Sequence, residues 1–301
     1  MRTVLIFANP IAGQGRGQRI AQALRTILFS SGFDARVFLD RPQEVTRDAL
    51  GDAEDAQFAA AISIGGDGTL RGVVQRLIEL FPVDSMPPVV VVPLGTANLM
   101  SKHLGVDWSE RRLQRDLPNA IAEHQVKSLD AATANGQLFL LMAGVGIDAH
   151  IVHELDRTRT GPIDITSYAL PAALALQSYS YSPIEVEVDG KIVFGRNPAL
   201  AFVGNVAEYG TGFPVLPMAR SDDGVLDVCV LPCASRVDLL KLAMLVATGD
   251  HLRAEGVIYT TAKRVRIVAS NEVPVQIDGE ASGHLPLEIA MLQQRIPFIV
   301  Q

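Results

Sequence analysis

The fold of this chain turns on residues 59–80, AAAISIGGDGTLRGVVQRLIEL. The apolar run from Ala59 to Ile64 reads as a strand, and Val89 to Val92 further on as one covered on both faces in a parallel sheet. Gly65-Gly66-Asp67-Gly68-Thr69 follows Ile64 directly, and then Leu70, Val73, Val74, Leu77 and Ile78 recur at helical spacing. The glycine stretch is therefore a strand-to-helix turn. Glycines let backbone N–H groups approach phosphate oxygens, a helix N-terminus favours an anion, and Asp67 is placed to hold Mg2+ or its water shell. The plainer reading is a tight turn in which Asp67 or Thr69 caps the helix. That reading uses one glycine and leaves the others unexplained.

Working outward, apolar strands are expected at 3–8, 35–39 and 89–92, with a helix from Gln18 and the helix just described between them. This βαβ series predicts an open α/β sheet. Such sheets bind ligands in the loops beyond the carboxyl ends of their strands. Two further loops of that kind are Asn9-Pro10-Ile11-Ala12-Gly13-Gln14-Gly15-Arg16-Gly17 and Pro93-Leu94-Gly95-Thr96-Ala97-Asn98. The first fits neither the G-x-G-x-x-G nor the G-x-x-x-x-G-K-[ST] pattern, so both common nucleotide fingerprints fail. After about Val126 the texture changes to short apolar runs with hairpin signals at Asn135-Gly136 and Asp189-Gly190, which predicts a mainly antiparallel β region. An amphipathic helix is expected from Ser235 to Val246, while Asp156 to Pro183, rich in Ala, Tyr and Ser, gives no clear pattern. The expected division is an α/β domain over 1–125 and a β-rich domain over 126–301, the last strand being a candidate to return to the first domain.

Composition narrows the partners. The 301 residues are 48% hydrophobic and 20% charged with a net charge of -7, so no basic field invites nucleic acid. The two cysteines, Cys229 and Cys233, lie in an apolar segment and read as core thiols rather than a disulfide or metal pair. His150 and His153 lack the acidic or thiol partner that would complete a metal site. Trp108 reads as a packing residue. MRTVLIFANP is too short in its apolar run for a secretory signal, and no run approaches the roughly 18 residues of a spanning helix. A cytoplasmic protein with at most peripheral, transient membrane contact is expected.

In order and spacing, NPIAGQGRG (9–17), GGDGTL (65–70) and PLGTANL (93–99) resemble the catalytic domain of the diacylglycerol kinase family, which includes bacterial lipid kinases and sphingosine and ceramide kinases. GVGIDA (144–149), SDDGVLDV (221–228) and Asp278-Gly279-Glu280 also look like landmarks of that family. The resemblance implies a first domain similar to phosphofructokinase and NAD kinase, a β-rich second domain, and ATP in the cleft between them. It implies nucleotide contacts by Asn9, Pro10 and Gly13, by Gly65, Gly66, Asp67, Gly68, Thr69, Leu70 and Arg71, and by Thr96 and Asn98. Asp40, where many relatives carry Thr, would lie near the ribose or adenine. Arg71 stands where Asn is common; it either touches phosphate or is a solvated first-turn residue. Asp67 and Asp130 match an aspartate network that organises magnesium, and the catalytic base is Asp278 or Glu280. Arg220, Asp223 and Val225 match a structural Mg2+ loop made of one carboxylate and two carbonyls.

The expectation is an ATP- and magnesium-dependent kinase acting on the hydroxyl of a lipid alcohol, diacylglycerol-like or sphingoid-like. Two alternatives stay open: a kinase of a soluble acceptor such as NAD, whose kinases share a GGDGT loop, and a non-catalytic nucleotide-binding regulator. The amphipathic segment Arg236 to Arg253 and the Tyr-rich stretch Tyr168 to Tyr181 are candidate membrane patches, although a Leu-rich helical stripe is ordinarily core. No pattern encodes the oligomeric state.

Overall fold

A computed structural model describes residues 1–51, 58–158, 177, 179–209 and 212–301. Most of Tyr168 to Tyr181, and of Asp156 to Pro183, lies outside the described residues. The chain forms two units: Met1–Leu129 with Gln294–Gln301, and Asp130–Gln293.

The first unit is built on a sheet whose strands are β1 (Arg2–Ala8), β2 (Phe33–Phe38), β3 (Phe58–Gly65), β4 (Val89–Pro93), β5 (Val126–Leu129) and β17 (Ile296–Ile299), in the order β2-β1-β3-β4-β17-β5. Every pairing is parallel except that of β17 with β5. All eight residues of β3 are buried, as a central strand covered on both faces requires. Helices α1 (Ala12–Ser30), α2 (Asp67–Leu80), α3 (Leu99–Leu104), α4 (Glu110–Arg115) and α5 (Leu117–Glu123) connect the strands. One buried cluster joins Leu24 and Leu28 of α1 and Leu117 and Ile121 of α5 to Ile6, Ile62, Ile64 and Val92 of the sheet, with Trp108 in the same core. Because β5 pairs with β17, the unit extends to Leu129, a few residues past the change of texture near Val126.

The second unit is an antiparallel sheet. Its strands are β6 (Ala132–Ala134), β7 (Gln137–Phe139), β8 (Met142–Val145), β9 (Pro183–Val188), β10 (Lys191–Gly204), β11 (Leu226–Pro232), β12 (Ile258–Ala262), β13 (Arg264–Ala269), β14 (Pro274–Ile277), β15 (Glu280–His284) and β16 (Leu287–Met291). The path runs β15-β14-β8-β10-β9-β13-β16-β6-β7, and β11 joins β10 to β12. The sheet curls at β10, whose first half pairs with β9 through two register shifts and whose second half pairs with β8 and β11. Asn135-Gly136, Asp189-Gly190 and Asp278-Gly279 all have positive φ at both residues, the backbone of tight two-residue hairpins. Cys229 and Cys233 are buried free thiols.

Helices α6 (Ile147–Thr158) and α7 (Arg236–Thr248) belong to this unit. Ser235 caps α7, its Oγ accepting the Asp238 N–H, and Gly249 at φ 78° ends it. Its Leu-rich stripe does not face the core throughout. Leu242 and Val246 are buried, whereas Val237, Leu240 and Met244 face solvent.

Candidate active site

The strand ends of the first unit hold most of the residues expected to bind nucleotide. Asn9 closes β1 with its N–H on Ile64 O; its Nδ2 donates to Thr69 Oγ1 at 3.4 Å, and its Oδ1 accepts from Ile11 N at 3.1 Å. Gly13, Gln14 and Gly15 then adopt left-handed backbone, so regular helix begins only beyond them and the loop stays open at Pro10–Gly15. A Cβ on Gly17 would strike Asn9 O. Gly66 and Gly95 lie backbone to backbone: a Cβ added to Gly95 would come within 2.6 Å of Gly66 Cα. Leu94 N donates to Gly65 O at 2.8 Å and holds the two loops together.

Asp67 ties these loops to α3. Its Oδ2 accepts from Leu99 N at 2.9 Å and its Oδ1 from Met100 N at 3.0 Å, so it caps the helix after the Gly95 loop, not its own helix α2. Asn98, left-handed at φ 49°, closes that loop from inside: its Oδ1 accepts from Gly95 N and its Nδ2 donates to Gly95 O. Thr96 at the crest of the loop is exposed. Leu70 is buried and gives its N–H to Gly66 O, so it shapes the turn. Arg71 is buried too, which removes the reading of a solvated first-turn residue. Asp40 is exposed in the loop after β2, the outermost strand, with β1 between it and β3.

In the second unit two acidic groups organise loops. Asp130 is buried; its N–H donates to Ser221 O at 2.7 Å, its Oδ2 accepts from Gly224 N at 2.7 Å, and its carbonyl accepts from Asn205 Nδ2 at 3.1 Å. It thereby fixes the Arg220–Val225 loop. Within that loop Asp223 is exposed and its Oδ1 accepts from Val225 N at 3.3 Å, closing a turn. An exposed carboxylate in a turn is an oxygen donor of the kind a hard cation such as Mg2+ takes.

Asp278 and Glu280, adjacent but for one glycine, are not equivalent. Asp278 Oδ1 accepts from Leu141 N and Met142 N, and Oδ2 from Leu140 N, all at 2.9–3.1 Å. Its carboxylate pins the β14–β15 hairpin to the start of β8. Glu280 stands at the head of β15 with its side chain exposed.

A third acid lies behind this hairpin. Gln276 is fully buried; its Nε2 donates to Asp148 Oδ2 at 3.3 Å and its Oε1 accepts from Gly279 N at 2.8 Å. Asp148 near the start of α6 is buried, and burial pushes its carboxyl up to about 6 against the opposing pull of Gln276 and nearby backbone amides. A Cβ on Gly144 would strike Asp148 Oδ2, so the glycine makes room for this pair. Sequence reasoning missed Gln276 and the Gly66–Gly95 contact. The only trace of Gln276 was a polar residue inside the apolar run Val273 to Ile277.

Comparison with known proteins agrees with this two-part construction. Residues 3–134 match the diacylglycerol kinase catalytic domain, and residues 142–300, more than half of the chain, match the YegS C-terminal NAD kinase beta sandwich-like domain. The diacylglycerol kinase of Bacillus subtilis is 27% identical across 100% of this chain and 97% of its own length. That of Staphylococcus carnosus is 27% identical across 97% and 92%. A solved structure of a diacylglycerol kinase from Bacillus anthracis superposes with a TM-score of 0.70 at 25% identity, covering 100% of this chain and 97% of that one. With an α/β unit bearing the glycine loops and a β-rich unit bearing the Asp-Gly-Glu hairpin, the chain belongs to the diacylglycerol kinase catalytic-domain family.

Proposed function

We propose that this protein transfers the γ-phosphoryl group of ATP to the hydroxyl of a lipid alcohol. The observation that carries the reading is the backbone contact of Gly66 and Gly95 at the N-terminus of α2, held by Asp67, which leaves a surface of main chain where phosphate oxygens can come close. Such a surface, with the open Pro10–Gly15 loop beside β3, binds and orients the triphosphate.

Glu280 is the group we assign as general base. It is exposed at the head of a strand, whereas Asp278 spends its oxygens on three backbone amides. In the transfer, a bond forms between the acceptor oxygen and the γ-phosphorus, the bond to the bridging oxygen breaks, ADP leaves, and the hydroxyl proton passes to Glu280. Mg2+ would neutralise the charge on the transferring group. Asp67 would hold it through its water shell, since each carboxylate oxygen keeps a lone pair after accepting one amide. Asp130 orders its loop in support, and Arg220, Asp223 and Val225 would take a second, structural ion.

One observation keeps a soluble acceptor in the test: the C-terminal match is to a domain described as NAD kinase beta sandwich-like. The experiment is transfer of γ-labelled phosphate from ATP with Mg2+ to diacylglycerol, sphingosine and phosphatidylglycerol in detergent, with NAD and no acceptor alongside. Label in a lipid is the expected result. Label in NAD replaces the reading, and nucleotide binding with no transfer to any of them favours a regulator or an acceptor outside the panel.

A further inference from the structure

Helix α7 lacks the polar outer face of an ordinary surface helix. Its sequence, RVDLLKLAMLVAT, is apolar nearly all round. Leu242 and Val246 are buried, yet Val237, Leu240 and Met244 are 59%, 65% and 64% exposed. Their spacing places them on one stripe with Lys241 and Thr248. A helix that is apolar on every side needs cover on every side, in a core or in lipid.

Charge and surroundings indicate the cover. The stripe carries no acid. Asp238, the helix's one carboxylate, is turned into the N-cap, where it accepts from Ala234 N and Ser235 Oγ. Against it stand exposed Lys241 and Arg236, the latter donating to Gln177 O at 2.7 Å, in a chain whose net charge is -7. Just beyond α7, buried His251 bonds through Nε2 to Val215 O at 3.1 Å, which ties the Phe213–Met218 loop to the end of the helix. Phe213 and Met218 are themselves exposed. Three of the ten large apolar side chains exposed among the described residues thus lie on this one helix stripe, and two more on the loop tied to the turn that follows it.

We infer that the outer stripe of α7, with the adjoining Phe213–Met218 loop, is the surface by which the second unit lies on a lipid bilayer. The aliphatic side chains and Phe213 enter the boundary between headgroups and acyl chains, while Lys241 and Arg236 meet anionic headgroups. No helix among the described residues is long and apolar enough to cross a membrane, so the contact is interfacial. The inference rests on the lipid-kinase reading, because an acceptor dissolved in a bilayer has to be met at its surface.

The test is sedimentation of the full chain, without nucleotide, with vesicles of phosphatidylcholine alone and of phosphatidylcholine mixed with phosphatidylserine, comparing the parent with V237S/L240S/M244S. The parent should bind, more tightly to the mixed vesicles, and the variant should lose about tenfold or more in partitioning. Its melting temperature and its turnover of a short-chain, water-soluble acceptor should stay unchanged. Three results overturn the inference: no binding by the parent, equal binding by the variant, or a parent dimer that the variant converts to monomer, which would make the stripe a self-association face. Vesicle binding is read without turnover, so failure of this inference and failure of the kinase reading remain separable.

Discussion

At the scale of single residues, the Asp-Gly-Glu hairpin separates two carboxylates that look interchangeable in the sequence. Glu280→Gln should lower turnover by about 10²–10⁴-fold with little change in nucleotide affinity or melting temperature, measured by steady-state kinetics and thermal denaturation. Asp278→Asn should do the reverse in stability, because an amide cannot accept as well from the three N–H groups of Leu140–Met142. A stable D278N that loses only turnover, beside an active E280Q, would exchange the two roles. Asp148 gives a pH signature. Its carboxyl, raised from 3.8 to about 6 by burial, keeps its proton in the native state at a pH where the unfolded chain has lost it. Stability therefore falls as pH rises from about 4 through about 6, and above that window the buried charge costs up to about 3 kcal/mol. Asp148→Asn should accordingly melt higher than the parent at pH 7.5, with the gap narrowing as pH falls towards about 4. A gap independent of pH would contradict the assignment. The hairpin and the segment around Asp148 stood out in the sequence, but the Asp148–Gln276 pair did not: the two are 128 positions apart, and the packing of α6 on β14 brings them together.

At the scale of elements, the site of the first unit is a contact between two loops. Gly66 and Gly95 exclude a side chain from each other, and Asp67 fastens one loop to the helix that follows the other. Gly95→Ala would force the backbones apart; we expect nucleotide affinity to fall by at least about tenfold, and the unit to lose stability as well, by calorimetric titration and melting. An alanine variant with unchanged affinity would remove the loop contact from the site. The strand–turn–helix element itself was plain in the sequence, since a buried apolar run, a glycine cluster and a helical period sit side by side in residues 59–80. The partner of Asp67 was not, because the amides it caps are more than thirty positions away and no side-chain pattern marks them. Helix α7 reads as amphipathic in the sequence, yet apolar residues lie on its exposed side as well as its buried one. Helical spacing of leucines does not say which side is covered.

At the scale of the whole molecule, the chain leaves the first unit after Leu129, builds the second, and returns at Gln294. The returning β17 is an inner strand, parallel to β4 on one side and antiparallel to β5 on the other. Deleting residues 294–301 should therefore strip the sheet of an inner strand and expose apolar edges. The expected outcome is a first unit open to proteolysis while the second unit stays protected, by limited digestion with mass analysis; equal protection of both would contradict it. The same strand sets an order of events during synthesis. The glycine loops are translated first, yet the sheet that carries them stays open until residue 299 has cleared the ribosomal exit, so the second unit is free to fold before the first is finished.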